Sequence, residues 1–467
     1  MRQLSATDML MMMLDSARTP NHMGPILICD PHRVTGAAVT FDEIYDGVAD
    51  RLARAPMLRQ RLVSAPLGLD NPYWVDDPNF DLEYHIRQIG LPKPGGWNQL
   101  CDQIARLASR PLDLTRPPWE MYVIDRLDTI PGVPADAFAL FIKIHHTAVD
   151  GQEGLQLVNL LTTVDPEAEE SRPASTGWAP RPLPSNWNLL WRSVASLPRR
   201  PLAAADIVGR AVPALARLGI GLLTPDDGTS VSVPYSRFSG RVGAHRVADA
   251  VTVPFATLKQ ARARAPGSTI NDVALAAVGG ALRRYLLKHD ELPEGSLAAA
   301  VPISTRANED VGAGGNQIDG TLVSLRTDVA SDIERLAAIS AATKDIRTVR
   351  VGVSAGQLSA LSEVVPGQLL GTGLRAAAEL AARAKIAVAG NCTVTNVPGP
   401  RVPLYFLGCK VLSCHGVGPI QDGMGLIHLV TSYCADFTVS IVADRDMMPD
   451  MTFYADCIRE AFAGLAS

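Results

Sequence analysis

The chain has 467 residues, of which 47% are hydrophobic and 19% charged, a composition ordinary for a globular protein long enough for two or three domains. Its net charge of −5 gives no electrostatic reason to expect a nucleic acid partner, so an acidic lipid surface would have to meet a local basic patch. Seven irregularly spaced cysteines argue against a disulfide framework, and without a run of about 20 apolar residues any membrane contact is expected to be peripheral.

Strands alternate with helices in the first part of the chain. Thr40 and Glu43 form a capping-box pattern that predicts the start of a helix with one apolar face. A second helix is predicted through Leu100, Ile104 and Leu107. Strands are predicted at residues 25–29, 73–75, 82–86, 119–124 and 138–144, with a helix at 155–164.

The composition changes between residues 165 and 239, where prolines punctuate residues 170–184 in the manner of a linker. The next segment carries Trp187, Trp191 and Arg192, with more arginines beyond it. One interpretation is a basic amphipathic segment that lies on a membrane or oil surface. An interdomain helix that packs on its own protein is preferred, because tryptophan and leucine stripes usually belong to a core.

A second alternation of strands and helices begins near Arg241. A helix is predicted at residues 255–264, and Ser268 or Thr269 is expected to cap another at 271–287. A last helix follows Pro449. Strands are predicted at residues 247–253, 297–303, 318–325, 392–397, 404–411, 425–433 and 437–442.

The seven residues His145 to Gly151 directly follow the apolar run 138–144, so they fall where a buried strand ends. A neutral imidazole held by a second group can accept a proton from a hydroxyl nucleophile. Adjacent strand residues point to opposite sides, so only one of His145 and His146 easily faces a given cleft. Asp150 and Gly151 fit a tight turn into the next helix, and that turn would bring the carboxylate back beneath an imidazole.

The pattern His-His-x-x-x-Asp-Gly resembles the signature of the CoA-dependent acyltransferase superfamily. Four further stretches resemble, in family order, the bacterial wax ester synthase/diacylglycerol acyltransferase family: residues 4–8, 111–120, 271–272 and 396–400. The resemblance runs nearly end to end. It implies an α/β (α+β) fold of two chloramphenicol acetyltransferase-like domains joined by a linker, with the active site at their interface. We assign residues 1–165 to the first domain, 166–240 to the linker and 241–467 to the second domain.

The resemblance also implies an O-acyltransferase that moves a fatty acyl group from acyl-CoA to diacylglycerol, giving triacylglycerol, or to a long-chain alcohol, giving a wax ester. Acyl-CoA would be a substrate, and no cofactor is expected. The expected location is cytoplasmic, peripherally associated with the inner membrane or lipid droplets. Two alternatives stay open: a condensation enzyme or acyltransferase that takes its acyl group from a carrier protein, and a non-catalytic lipid-binding protein of the same fold.

Matching the motif residue by residue implies that His146 is the general base and that His145 is a scaffold or substrate-shaping residue. Asp150 could orient His146, but the resemblance implies instead a salt bridge to Arg306 that holds the loop, with Gly151 in the turn. A surface arginine is the competing interpretation of Arg306. With the salt bridge, Arg306→Ala should lose folded protein as well as activity; an unchanged melting temperature with full turnover would remove the assignment.

Other site residues are implied by the resemblance. Asn271 and Asp272 begin a predicted helix, where capping alone would explain both, but the family treats the pair as functional. Thr395 and Asn396 precede a Pro-Gly-Pro turn and could line the acyl channel or stabilise an oxyanion, with turn chemistry as the competing account. Trp119 resembles the Pro-Leu-Trp element of the family with proline in place of leucine, and a packed aromatic is the preferred interpretation.

Three other patterns are set aside. Residues 352–356 fit Gly-x-Ser-x-Gly, but the preceding segment has helical periodicity, so no hydrolase nucleophile elbow is predicted. Residues 312–316 lack the spacing of a phosphate-binding loop. Cys409, Cys414 and His415 have no fourth ligand at zinc spacing, and no metal is predicted.

Overall fold

The structure is a computed structural model that describes residues 1–52, 54–66, 70–148, 153–167, 178–196, 233–304, 318–344 and 390–467. The strands are β1 (Arg2–Gln3), β2 (His22–Arg33), β3 (Gln60–Val63), β4 (Tyr73–Asp76), β5 (Ile86–Gly90), β6 (Trp119–Asp125), β7 (Phe138–His145), β8 (Arg246–Pro254), β9 (Ala298–Ser304), β10 (Ile318–Ser324), β11 (Cys392–Pro398), β12 (Tyr405–Phe406), β13 (Cys409–Val417), β14 (Leu426–Tyr433) and β15 (Asp436–Asp444). The helices are α1 (Ala6–Leu14), α2 (Phe41–Leu52), α3 (Leu82–His85), α4 (Trp97–Ala108), α5 (Glu153–Leu161), α6 (Asn186–Ser196), α7 (Phe255–Arg264), α8 (Ile270–Lys288), α9 (Asp332–Lys344) and α10 (Met451–Ala466).

The strands form two six-stranded sheets and one small sheet. The first sheet has the order β12-β13-β2-β7-β6-β5, and the second has the order β10-β9-β11-β14-β15-β8. The small sheet has the order β1-β4-β3. Because β13 pairs antiparallel with β2, a strand from the last part of the chain completes the sheet built by the first part. The pairing of β13 with β2 connects the two halves of the chain. The domain limits stay a prediction.

The two halves share one hydrophobic core. Residues of α4, β2 and β7 from the first half pack in the same cluster as α8, α10, β14 and β15 from the second. Polar contacts reinforce this seam. The guanidinium of Arg18 donates to both carboxylate oxygens of Asp422 at 2.6 and 2.7 Å, and the Trp97 indole donates to Asp249 at 2.7 Å. Burial of apolar surface therefore joins the halves, while charged groups fix their alignment.

Most predicted elements match the structure, and two do not. Residues 82–86 are not one strand, because the Asp81 carboxylate accepts the Glu83 amide at 3.1 Å and starts the helical turn α3. Residues 404–411 are not one strand either. Leu407 and Gly408 have φ values of 51° and 74° and form a tight hairpin turn between β12 and β13.

In the parts of the chain that are described, no helix combines the length and the apolar character that crossing a membrane requires.

Candidate active site

The two histidines lie where a buried strand ends, as predicted. All residues of β7 are buried between its neighbours β2 and β6. His145 is its last residue, and the chain turns there because the Ala148 amide donates to the His145 carbonyl at 2.9 Å. His145 is 1% exposed, whereas His146 is partly exposed. We refer to residues 145–148 as the His-His turn.

Hydrogen bonds fix the ring of His145. The Thr147 amide donates to Nδ1 of His145 at 3.2 Å, and the Thr147 hydroxyl lies 2.8 Å from the same nitrogen. Since an amide can only donate, Nδ1 is an acceptor, and the neutral ring carries its proton on Nε2. That nitrogen lies 3.8 Å from Oδ1 of Asp15. Both partners suit a residue that is held in place, which supports the scaffold role for His145.

The segment between α1 and β2 braces both histidines. The backbone amide of Asn21 donates to Oδ1 of Asp15 at 2.7 Å, and the backbone carbonyl of Asn21 accepts the backbone amide of His146 at 3.0 Å. The Asn21 side chain donates to the Met11 carbonyl at 2.6 Å. A single carboxylate oxygen therefore faces the ring of His145 and, through Asn21, holds the backbone of His146.

The stretch at residues 4–8, which resembles the opening of the family, starts the helix that supports this turn. Ser5 caps α1 by accepting the Asp8 amide at 3.1 Å. The helix then buries an apolar cluster against the small sheet and the His-His turn, formed by Leu4, Met9, Met13 and Trp74 with Ala148 packed against it. The opening stretch thus supports the His-His turn from outside the first sheet.

β2 lies close beside the end of β7. His22 is directly opposite His145 in the antiparallel register. A Cβ atom at Gly24 would lie 1.6 Å from the Ile142 carbonyl oxygen, so only glycine allows the two strands to approach in this way. The register that brings Asn21 and His22 to the histidines depends on this approach.

A buried ionic network surrounds Lys143, two residues before His145 on β7. Lys143 is fully buried, and its ammonium donates to the Arg110 carbonyl at 2.5 Å and to Glu120 at 3.4 Å. Glu120 also accepts from Tyr122 at 2.7 Å and from Arg87 at 3.1 Å. Burial acts to raise the pKa of Glu120, but the charge of Lys143 and these bonds outweigh it and hold that pKa below its ordinary value.

Trp119 is a packed aromatic. It is buried, its ring stacks on His85 with centroids 4.5 Å apart, and its indole donates to the Leu58 carbonyl at 2.6 Å. A buried ring with a satisfied N–H is typical of a core tryptophan. The structure therefore agrees with the packing interpretation of Trp119.

Asn271 and Asp272 lie at the start of α8, in the second half. Asp272 is buried, accepts the Thr269 amide at 2.7 Å and the Thr343 hydroxyl at 2.8 Å, and forms a capping box with Thr269. Capping thus accounts for Asp272. Asn271 is partly exposed and lines a pocket with Gly267, Thr269, Asp272, Val301, Thr321, Val323, Thr343 and Lys344.

Thr395 and Asn396 lie within β11 rather than at its end. They pair with Leu429 and Val430 of the parallel neighbour β14. Thr395 is partly buried and Asn396 is exposed. Their predicted part in an acyl channel or oxyanion site stays a prediction.

Three predicted site residues, Asp150, Gly151 and Arg306, lie outside the described residues, so their roles stay predictions. The same holds for the patterns at residues 312–316 and 352–356 and for most of the predicted linker at 166–240.

Within the stretches that are described, no three His, Cys, Asp or Glu side chains come together in a way that could hold a metal ion. Burial raises the pKa of Cys409 to about 11 and that of Cys414 to about 12. That the protein uses no metal stays a prediction.

Sequence reasoning missed Asp15, Asn21, His22 and Lys143. For the first three, the available signal was the mostly polar run at residues 15–22 between two apolar segments. This run lies at the histidines only because β2 pairs with β7, and the periodicity of either strand does not predict which strand it pairs with.

Three buried histidines predict sensitivity to acid. Burial lowers the pKa of His22 well below its ordinary value of 6.5, and the charge of Lys143 adds to this effect. Burial likewise lowers the pKa of His415 and of His428 to about 4. Because the folded pKa lies below the unfolded one, these groups favour the native state above pH 6.5, and that contribution is lost as the pH falls toward 4.

We therefore expect the free energy of unfolding, measured by urea titration, to decrease as the pH falls from 6.5 toward 4. His428→Gln should flatten this dependence, because the amide does not titrate. His32→Gln is the matched control, since the His32 side chain is exposed. An equally steep dependence in His428→Gln and the wild type would contradict the assignment for His428.

Two sequence profiles of one family match most of the chain. The wax ester synthase/diacylglycerol acyltransferase catalytic domain matches residues 4–274, and the C-terminal domain of the same family matches residues 314–466. A curated relative from Mycobacterium tuberculosis, named as a diacylglycerol O-acyltransferase, is 30% identical over 473 residues, which cover 100% of this chain and 90% of the relative.

Solved structures show the same fold. The chain is similar to a wax ester synthase/diacylglycerol acyltransferase from Marinobacter aquaeolei VT8, with 25% identity and a TM-score of 0.67 over 99% of this chain and 98% of the other. The trichothecene 15-O-acetyltransferase of Fusarium sporotrichioides shares the fold alone, with 12% identity and a TM-score of 0.61 over 99% and 94% of the two chains. The predicted fold class, two domains of mixed α and β structure, is confirmed.

Proposed function

The chain belongs to the wax ester synthase/diacylglycerol acyltransferase family, and we propose that it transfers a fatty acyl group from acyl-CoA to diacylglycerol, a long-chain alcohol, or both. The observation that carries the proposal is the His-His turn at the end of β7. His145 is buried and hydrogen-bonded, while His146 is partly exposed on a braced backbone. This difference supports His146 as the general base.

In the proposed reaction, His146 accepts the proton of the acceptor hydroxyl as its oxygen attacks the thioester carbonyl. A carbon–oxygen bond forms, the carbonyl becomes a tetrahedral oxyanion, and the carbon–sulfur bond then breaks. The proton held by His146 passes to the departing sulfur, so CoA leaves as the thiol and the imidazole is neutral again. The base activates the acceptor directly, so the reaction requires neither an acyl-enzyme nor a cofactor.

The remaining roles rest on the resemblance to the family. Asp150 pairs with Arg306 and, with Gly151, holds the loop after the His-His turn. Asn271 supports the site from the second half, and Thr395 and Asn396 line the acyl channel or stabilise the oxyanion. The match of this chain to both domain models of the family supports these roles.

The proposed compartment is the cytoplasm. Diacylglycerol and long-chain alcohols concentrate in lipid, which supports peripheral association with the inner membrane or with lipid droplets. Acyl-CoA and the lipid acceptor are its partners.

The direct test uses purified protein, labelled palmitoyl-CoA and either diacylglycerol or hexadecanol. We expect a labelled triacylglycerol or wax ester together with one free CoA per ester. Free CoA without an ester would indicate a thioesterase. Turnover with acyl-carrier protein but not with acyl-CoA would replace the proposal by carrier-dependent chemistry, and bound lipid without turnover would replace it by lipid binding.

A further inference from the structure

Helix α6 is attached to the protein by one face. Leu189 is fully buried in a cluster with Ala65 and with Tyr73 and Val75 of the small sheet. One turn later Ser193 is also buried and donates to the Leu189 carbonyl at 2.8 Å. Side chains four positions apart lie on the same face of a helix, so these two residues define the inner face of α6.

The outer face of α6 is apolar and exposed to solvent. Trp187 and Trp191 are 73% and 68% exposed, the highest values among the exposed large apolar side chains of the described residues. Val194 follows at 41%. The spacings of four and three positions place all three side chains in one stripe, the α6 tryptophan face. Single exposed apolar residues need no explanation, but two adjacent tryptophans facing solvent indicate a surface with a partner.

The sequence segment that contains α6 is basic, whereas the whole protein has a net negative charge. Residues 171–205 contain five arginines and no aspartate or glutamate, although the complete chain has a net charge of −5. Arg181 and Arg192 have exposed side chains, and Arg181 also lies 3.6 Å from Asp76. A basic segment with tryptophans on one helix face complements an anionic lipid surface, where indoles lie at the headgroup level and arginines meet the phosphates.

The α6 tryptophan face lies on the side of the first domain that also supports the His-His turn. Tyr73 and Val75 of β4 pack against Leu189, while Trp74 between them points to the opposite face and packs with Leu4, Met9 and Met13. Ala148 packs against that second cluster. The small sheet therefore lies between α6 and the turn that carries His146.

We infer that the α6 tryptophan face docks the protein on an anionic phospholipid bilayer. The inference deepens the proposed function by naming the surface through which a lipid acceptor reaches the enzyme, and it rests on that function only for this purpose. Docking itself is measurable without catalysis.

The test is cosedimentation of the full chain with phosphatidylcholine vesicles that contain or lack phosphatidylglycerol. We expect binding that requires phosphatidylglycerol and weakens with salt. The double variant Trp187→Ala with Trp191→Ala should raise the apparent Kd by on the order of tenfold or more, because interfacial binding scales with buried apolar area. Arg192→Glu should also weaken binding, whereas Val34→Ala with Leu287→Ala, two exposed apolar side chains elsewhere, should not.

Equal binding by the wild type and the double tryptophan variant would overturn the inference, as would equal binding to vesicles without phosphatidylglycerol. Self-association that the tryptophan substitutions abolish, with no binding to vesicles, would show that a second copy covers this face instead and would also overturn it. Only variants that keep the melting temperature of the wild type are compared.

Failure of docking and failure of the proposed function are separable. An assay with acyl-CoA and a water-dispersed alcohol, without vesicles, measures transfer alone, and both tryptophan substitutions should leave it unchanged. If the wild type makes ester in this assay but binds vesicles no better than the double tryptophan variant, docking is refuted and the proposed function stands. If vesicle binding depends on the tryptophans but no ester forms with or without vesicles, docking stands and the proposed function is refuted.

Discussion

Replacing His146 by alanine should lower the rate of ester formation by about 10²–10⁴-fold, the usual contribution of a positioned general base. The acceptor hydroxyl would keep its proton during attack on the thioester, which makes it a poor nucleophile. The loss should appear in kcat, because substrate binding does not require the imidazole. The measurement is labelled ester formed from palmitoyl-CoA and the acceptor that the wild type prefers.

The matched control for this variant is His32→Ala, which removes an exposed imidazole near the other end of β2. Its activity should equal that of the wild type. Because His146 is partly exposed, His146→Ala should retain the wild-type melting temperature, so that lost activity is not lost folding. Ester synthesis at the wild-type rate in a folded His146→Ala protein would end the proposed mechanism.

The elements predicted correctly are those whose signals are local. The apolar run before His145 predicts β7 because a buried strand needs no partner to be recognised in sequence. Ser268 or Thr269 is predicted to cap α8, because a cap acts within the first turn of a helix, and in the structure Thr269 is that cap and forms both hydrogen bonds of a capping box with Asp272. The fold class was predicted from the family motifs and their order, because no local pattern predicts it.

The elements predicted wrongly, or not at all, depend on distant partners. β13 completes the first sheet beside β2, yet its sequence carries no sign of which sheet it joins. The hairpin turn at Leu407 and Gly408 was not predicted, because leucine rarely adopts a positive φ and so does not indicate a turn. In the site, the contact between Asp15 and His145 exists only through the register of β2 on β7. Tertiary pairing therefore decides the part of the site that supports the histidines.

Asp15 is the positioning residue whose loss should have the second largest effect on the reaction. Its Oδ1 holds the Asn21 amide at 2.7 Å and faces Nε2 of His145 at 3.8 Å, while the Asn21 carbonyl holds the amide of His146 at 3.0 Å. Asp15→Ala releases this chain of contacts at its first member. A general base displaced by about 1 Å can cost up to about 10²-fold in rate, so we expect a loss of that order in kcat with little change in the KM for acyl-CoA.

Asp15→Asn separates hydrogen bonding from charge at the same position. The amide oxygen of asparagine can replace Oδ1 as the acceptor for Asn21, so this variant should recover most of the activity that Asp15→Ala loses. The matched control is Asp30→Ala, which removes a carboxylate that accepts a backbone amide at 2.9 Å elsewhere on β2. A purely structural role for Asp15 would lower the melting temperature and leave the kcat of the remaining folded protein unchanged. Equal loss of kcat in Asp15→Asn and Asp15→Ala would instead show that the negative charge facing His145, rather than the bond to Asn21, supports the base.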